Sequence, residues 1–122
     1  MEPKFNLWIE HDGRVVLSTW RVKLLEAIEA AGSISAAAEQ LNVPYRRAWE
    51  KIQEIEQGLG LKVVDTAVGG QGGGGAHLTE AGRKAIAQFR TFADGFDQQV
   101  AEKYSAVFHD ARGAGRLIGR TH

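Results

Sequence analysis

The chain has 122 residues, 43% hydrophobic and 25% charged, enough for one domain with one core and ordinary for a globular protein. Fifteen basic residues balance fifteen acidic ones, so no overall positive field draws it to nucleic acid, and any attraction to phosphate has to come from where the charges sit. The absence of cysteine excludes disulfides and thiolate metal sites and fits a reducing cytoplasm. No run approaches the ~18 apolar residues that span a bilayer, and residues 1–13 lack the basic-then-apolar pattern of a secretory signal.

Phe5, Leu7 and Ile9 alternate with polar Asn6 and Glu10, with Trp8 breaking the pattern, and this period of two predicts a half-buried strand. His11-Asp12-Gly13-Arg14 supplies turn chemistry, and Val15-Val16-Leu17 predicts the return strand of a hairpin. Ser18 is a good N-cap for a helix to about Ala31, with Trp20, Leu24, Ile28 and Ala31 at helical spacing and Gly32 as its stop. Ser33-Ile34-Ser35 opens a short second helix, Ala36 to Leu41, and Asn42-Val43 is a tight connection. Pro44 suits the first turn of a third helix that runs to about Leu59, because its missing N–H costs nothing there. Ala48, Ile52, Ile55 and Leu59 form that helix's core-facing stripe.

Leu61 to Val68 is rich in β-branched residues and predicts a strand, and Ala76-His77-Leu78 predicts a short return strand. Between them, residues 69–75 hold six glycines and Gln71, which is a loop rather than regular structure. No Lys-Ser or Lys-Thr follows this run, so it is not a nucleotide-binding loop. Thr79 caps a last helix to about Asp110, roughly 48 Å long and too long to pack wholly within a small domain. Residues 111–122 carry three glycines and read as a flexible tail. The order, a three-helix unit followed by a two-stranded hairpin, is the layout of a winged helix.

Three stretches carry a resemblance. They are Ala31-Gly32-Ser33-Ile34-Ser35-Ala36-Ala37-Ala38 with Leu41-Asn42-Val43, then Tyr45-Arg46-Arg47-Ala48-Trp49, then the glycine run through Ala76-His77-Leu78-Thr79-Glu80-Ala81-Gly82. Together they resemble the N-terminal DNA-binding domain of the ModE molybdate-responsive regulators, over roughly residues 15 to 108. The first stretch and the Leu78 to Gly82 stretch also look like LysR-type regulators. The resemblance implies binding to double-stranded DNA. What it implies about molybdate is not carried over, because full-length members continue into a C-terminal molybdate-binding module and this sequence stops after its last helix.

A helix-turn-helix offers the N-terminal part of its second helix to base edges in the major groove. Here that part is Pro44 to Lys51, where Arg46, Arg47 and Lys51 against Glu50 leave a net charge of +2. Arginine bonds guanine bidentately, at ~1 to 3 kcal/mol of discrimination per good pair, and Tyr45 suits a phosphate or a thymine methyl. Ser33 and Ser35 lie at the start of the preceding helix, whose free N–H groups suit a phosphate. In the glycine run, Gln71, Gly72 and Gly73 are the expected wing-tip contacts. Trp49, one residue past core position Ala48, is expected to pack between the third helix and the wing. In the last helix Ile86, Phe89, Ala93, Phe96, Val100, Tyr104 and Val107 approach a heptad seam, so Phe89, Ala93, Phe96, Val100, Tyr104 and Val107 are the expected dimer contacts. The four histidines fall on separate elements, without a metal-ligand spacing.

The fold expected is therefore mainly α with a small β component: a winged helix-turn-helix with an N-terminal β-hairpin and a long C-terminal dimerisation helix. Residues 1–110 form the DNA-binding domain, with dimerisation through residues 79–110. The function expected is sequence-specific binding, as a cytoplasmic homodimer, to an inverted-repeat DNA operator, with no cofactor, metal, membrane or enzymatic activity and an effector signal arriving from a separate protein. The alternative is a winged-helix module that docks a separate effector or regulator chain.

Overall fold

Regular structure begins with a hairpin, β1 (Trp8–His11) and β2 (Arg14–Ser18), paired antiparallel. The computed structural model describes residues 1–67 and 75–108. Contacts divide the chain into two units, Asn6–Phe92 and a second made of Met1–Phe5 with the chain from Ala93 onward. The hairpin turn is Asp12-Gly13, both at positive φ (52° and 77°), so His11 pairs with Arg14, as a two-residue turn matching strand twist requires. This turn sets the register and moves β1 later than the alternation of Phe5, Leu7 and Ile9 predicts. A bulge between Ile9 and Glu10 then shifts the pairing, and every residue of β1 is exposed, while Val16 and Leu17 of β2 enter the core.

Ser18 caps α1 (Thr19–Ala31), its hydroxyl accepting from the Arg21 N–H at 3.0 Å. Gly32 ends it at φ 77°, where a side chain would be strained. Val22, Leu24, Leu25 and Ile28 are fully buried, whereas Ala31, placed on the stripe by its spacing, is exposed. Ser33 caps α2 (Ile34–Gln40) by accepting from the Ala36 N–H at 3.0 Å. The chain then turns through Asn42, at φ 58°, into α3 (Tyr45–Leu59), which Gly60 ends. Ala48, Ile52 and Ile55 face inward, as the 4-and-3 spacing dictates. Where α3 crosses β2, Gly58 permits the approach: a Cβ there would lie 2.7 Å from Val16 Cγ2.

The wing is β3 (Val64–Ala67) paired antiparallel with β4 (Gly75–Leu78), in the register Val64↔Leu78 to Ala67↔Gly75. It is anchored at its root. Ala76 N–H donates to the Gly32 carbonyl at 2.8 Å, and Leu78 N–H donates to Glu29 Oε1 at 3.0 Å. Glu56 Oε2 accepts from the N–H groups of Val63 and Val64 at 2.9 and 3.2 Å. Thr79 begins α4 (Glu80–Ala93), accepting from Gly82 N–H while donating to the Lys62 carbonyl. Gly82 is buried against Val63, where a Cβ would collide with the carbonyl oxygen. Arg90 of α4 pairs with Glu26 of α1 through two nitrogens, at 2.6 and 3.1 Å.

The C-terminal helical segment is present, in two pieces. A turn at Asp94-Gly95 separates α4 from α5 (Phe96–Val107), with Gly95 at φ 84° as the residue before α5. The sequence predicts one continuous helix here; the left-handed backbone at Gly95 instead falls between two helices, so the apolar seam is divided between α4 and α5. The tail expected at residues 111–122 lies outside the described residues. Among those described, no helix is long and apolar enough to cross a membrane.

Candidate nucleic-acid interface

α2 and α3 form the helix-turn-helix. The turn is built by backbone bonds alone: Leu41 N–H to the Ala37 carbonyl, Asn42 N–H to Glu39, and Val43 N–H to Ala38, at 3.0 to 3.1 Å. Pro44, extended at φ −61° and ψ 146°, precedes α3, and no side chain caps that helix. Its carbonyl accepts from Arg47 and Ala48. The N–H groups of Tyr45 and Arg46 therefore point out of the first turn without a partner among the described residues, and the positive end of the α3 dipole faces the same way.

The side chains follow from the period. With Ala48 and Ile52 turned inward, Tyr45, Arg46, Arg47, Trp49 and Glu50 are all exposed. Neither Arg46 nor Arg47 forms an ion pair among the described residues. Lys51 differs: it is half-buried and its Nζ lies 3.4 Å from Glu54 Oε1. Of the residues singled out for DNA contact, the structure thus leaves Tyr45, Arg46 and Arg47 exposed around the first turns of α3, with Tyr45 and Arg46 lining one depression, and turns Lys51 toward the scaffold. Ser33 is half-buried with its hydroxyl engaged as a cap, and Ser35 is exposed at the start of α2. Gln71, Gly72 and Gly73 lie outside the described residues.

Trp49 corrects the sequence expectation. It is 44% exposed and shares a shallow depression with Tyr45, Arg46 and Glu50, and among the described residues it is not packed between α3 and the wing. The signal was available in the stripe itself, since a residue next to inward-facing Ala48 is rotated by about a quarter turn around the helix.

The acidic side chains explain how a neutral protein presents this surface. Arg21 is buried, donating to Glu54 Oε1 at 2.6 Å and to the Val15 carbonyl at 3.0 Å. Burial would raise the Glu54 carboxyl, but Lys51 and Arg21 outweigh it and hold it below the usual carboxylate range. Glu29 is held low by the Leu78 N–H, against a smaller opposing effect of burial, with Arg83 assisting. Glu26, Glu29, Glu54 and Glu56 are therefore committed to arginines or backbone N–H groups. None of these internal pairings fell within reach of sequence periodicity: Arg21 and Glu54 are 33 positions apart.

For the dimer residues, Phe89 is buried at 2% exposure within the unit Asn6–Phe92. Ala93, Phe96, Val100 and Tyr104 are half-buried, and Val107 is 62% exposed. Tyr104 stacks on Phe108 with ring centroids 5.1 Å apart, and its hydroxyl is buried without a hydrogen-bond partner among the described residues.

A three-helix unit, a β-wing rooted beside it and an outward, cationic start to α3 define a winged helix-turn-helix DNA-binding domain. The family model described as bacterial regulatory helix-turn-helix protein, lysR family, matches residues 20–83, and the chain belongs to that family. The chain is similar to the molybdenum-pterin-binding protein MopB of Rhodobacter capsulatus, 49% identical over 69 residues, covering 57% of this chain and 26% of that protein. It is 32% identical over 110 residues to the DNA-binding transcriptional dual regulator ModE of Escherichia coli K12, covering 90% of this chain and 40% of ModE. The chain thus spans well under half the length of these relatives. Among solved structures it matches a CbnR DNA-binding domain in complex with DNA, at TM-score 0.58 and 23% identity, over 72% of this chain and 95% of that one. It also matches the multiple antibiotic resistance repressor MarR, at TM-score 0.57 and 14% identity, over 86% and 76%. These two matches concern the fold.

Proposed function

We propose that the chain is a transcriptional regulator that binds double-stranded DNA as a homodimer, acting by binding rather than catalysis, in the bacterial cytoplasm. Its operator is an inverted repeat whose half-sites are centred roughly 34 Å apart or a multiple of it. The names of the relatives support a place in molybdenum metabolism, with the effector signal supplied from outside residues 1–122. In this reading residues 1–110 are the DNA-binding domain, and Ala93, Phe96, Val100, Tyr104 and Val107 are its pairing surface. Phe89, buried within its own unit, is left out of it.

The observation that carries the reading is the pair of exposed guanidinium groups, Arg46 and Arg47, without ion-pair partners among the described residues, at a start of α3 that Pro44 does not cap with a side-chain hydrogen bond. They read base edges, while the α2 N-terminus at Ser33 and Ser35 meets phosphates, Gly72 and Gly73 of the wing loop approach the DNA backbone, and Gln71 reaches into a groove. The test is binding of the full chain to a duplex selected from a random library, and to an unrelated duplex, at two salt concentrations. Arg46→Ala or Arg47→Ala should weaken the selected duplex roughly ten- to hundredfold and the unrelated one much less. Equal loss on both would overturn base readout; failure to bind any duplex at low salt would overturn DNA binding and promote the docking of a protein partner.

A further inference from the structure

Trp49 is the largest side chain that the scaffold leaves uncovered on α3. Tyr45, one turn earlier on the same face, is 52% exposed, and Trp49 is 44% exposed. The two share a depression with Arg46 and Glu50. The Trp49 indole N–H has no hydrogen-bond partner among the described residues, whereas that of Trp8, also exposed, donates to Glu10 Oε2 at 2.8 Å. Two adjacent aromatic rings left in water on an otherwise polar half-helix mark a surface that something covers.

We infer that Trp49, with Tyr45 beside it, selects thymine in the operator by packing on its C5-methyl group in the major groove. The inference rests on the DNA-binding reading above, and adds to it an apolar specificity element. The thymine methyl is the one apolar group that an unmodified base pair displays in the major groove. The rings share their depression with Arg46, so a docked helix that brings the Arg46 guanidinium to a base edge brings the rings there too. The flanking groups complete the chemistry: Arg46 suits guanine O6 and N7, and Glu50 suits the cytosine amino group.

The experiment uses the full chain and its selected duplex, with each thymine replaced in turn by deoxyuridine, which removes only the methyl. Wild type should lose about three- to fivefold in affinity at one or two positions in each half-site, the contribution of one buried methyl. Trp49→Ala should abolish that sensitivity at the same positions while keeping the discrimination that Arg46 provides. Trp49→Phe should retain part of it. Wild type indifferent to deoxyuridine everywhere, or Trp49→Ala as sensitive as wild type, would overturn the inference and leave DNA binding intact. A chain that binds no duplex would overturn both. Circular dichroism on the two variants separates a lost contact from a lost fold, and the graded response of Trp49→Phe is not expected of a purely structural residue.

Discussion

The two halves of α3 behave as different materials. Residues 45–51 hold Arg46, Arg47, Tyr45 and Trp49 in the open, with no side-chain cap at the helix start. Residues 52–59 bury Ile52 and Ile55, commit Glu54 to Arg21, and commit Glu56 to the backbone that enters the wing. One helix thus carries a reading end and a holding end. The difference teaches that a balanced composition is compatible with a locally cationic face when the anions are used to hold the scaffold together.

The comparison breaks most visibly at the holding end. Ile55 is fully buried, so Ile55→Ala should cost about 2–5 kcal/mol and lower the melting temperature sharply, with DNA binding lost only as a consequence. Next comes Glu56→Ala, which strands two backbone donors at the root of the wing; about 1–3 kcal/mol should be lost in denaturant titration. Arg46→Ala, at the reading end, should leave stability within about 0.5 kcal/mol of wild type despite its large effect on DNA binding. A comparable stability loss from Arg46→Ala and Ile55→Ala would erase the distinction.

The smallest effect is acid dependence. Glu29 and Glu54 are held below their ordinary range, so their contribution is complete above the unfolded carboxylate pKa of about 4.3. It is lost as pH falls through their lower folded values. Melting temperature should therefore hold as pH drops toward about 5 and decline below about 4. Glu54→Gln should show a shallower acid decline than wild type, because it removes one of the two titrating groups. An unchanged slope would mean that the Arg21–Glu54 pair contributes little to the holding end.

Much of this was legible in the sequence where a local rule has no competitor. Ser18 and Ser33 cap, Gly32 and Gly60 stop helices in the left-handed conformation, and Ala48, Ile52 and Ile55 turn inward, each decided by a few neighbouring residues. The site follows, since the inward stripe leaves Arg46 and Arg47 outside. Reading failed where two local signals conflict. The alternation of Phe5, Leu7 and Ile9 favours an earlier strand, but the positive φ values of Asp12 and Gly13 fix the pairing from the turn backward. At Trp49 the neighbouring core position Ala48 suggested packing toward the wing, whereas the helical period rotates it outward, and the period prevailed. Gly95 lies inside the stretch that the sequence predicts as one helix, yet its left-handed backbone falls between two. Long-range ties such as Arg90 to Glu26 need the fold before they can be seen.

The charge separation along α3 also shapes how the molecule meets a duplex. With a net charge of zero, it has no monopole for a polyanion to pull from afar. At physiological ionic strength fields fade over about 8 Å, so the dominant influence at close approach is a torque that swings the cationic tip inward before docking. The phosphates are the same on every duplex, so this torque is blind to sequence and orients the molecule on any DNA that it meets.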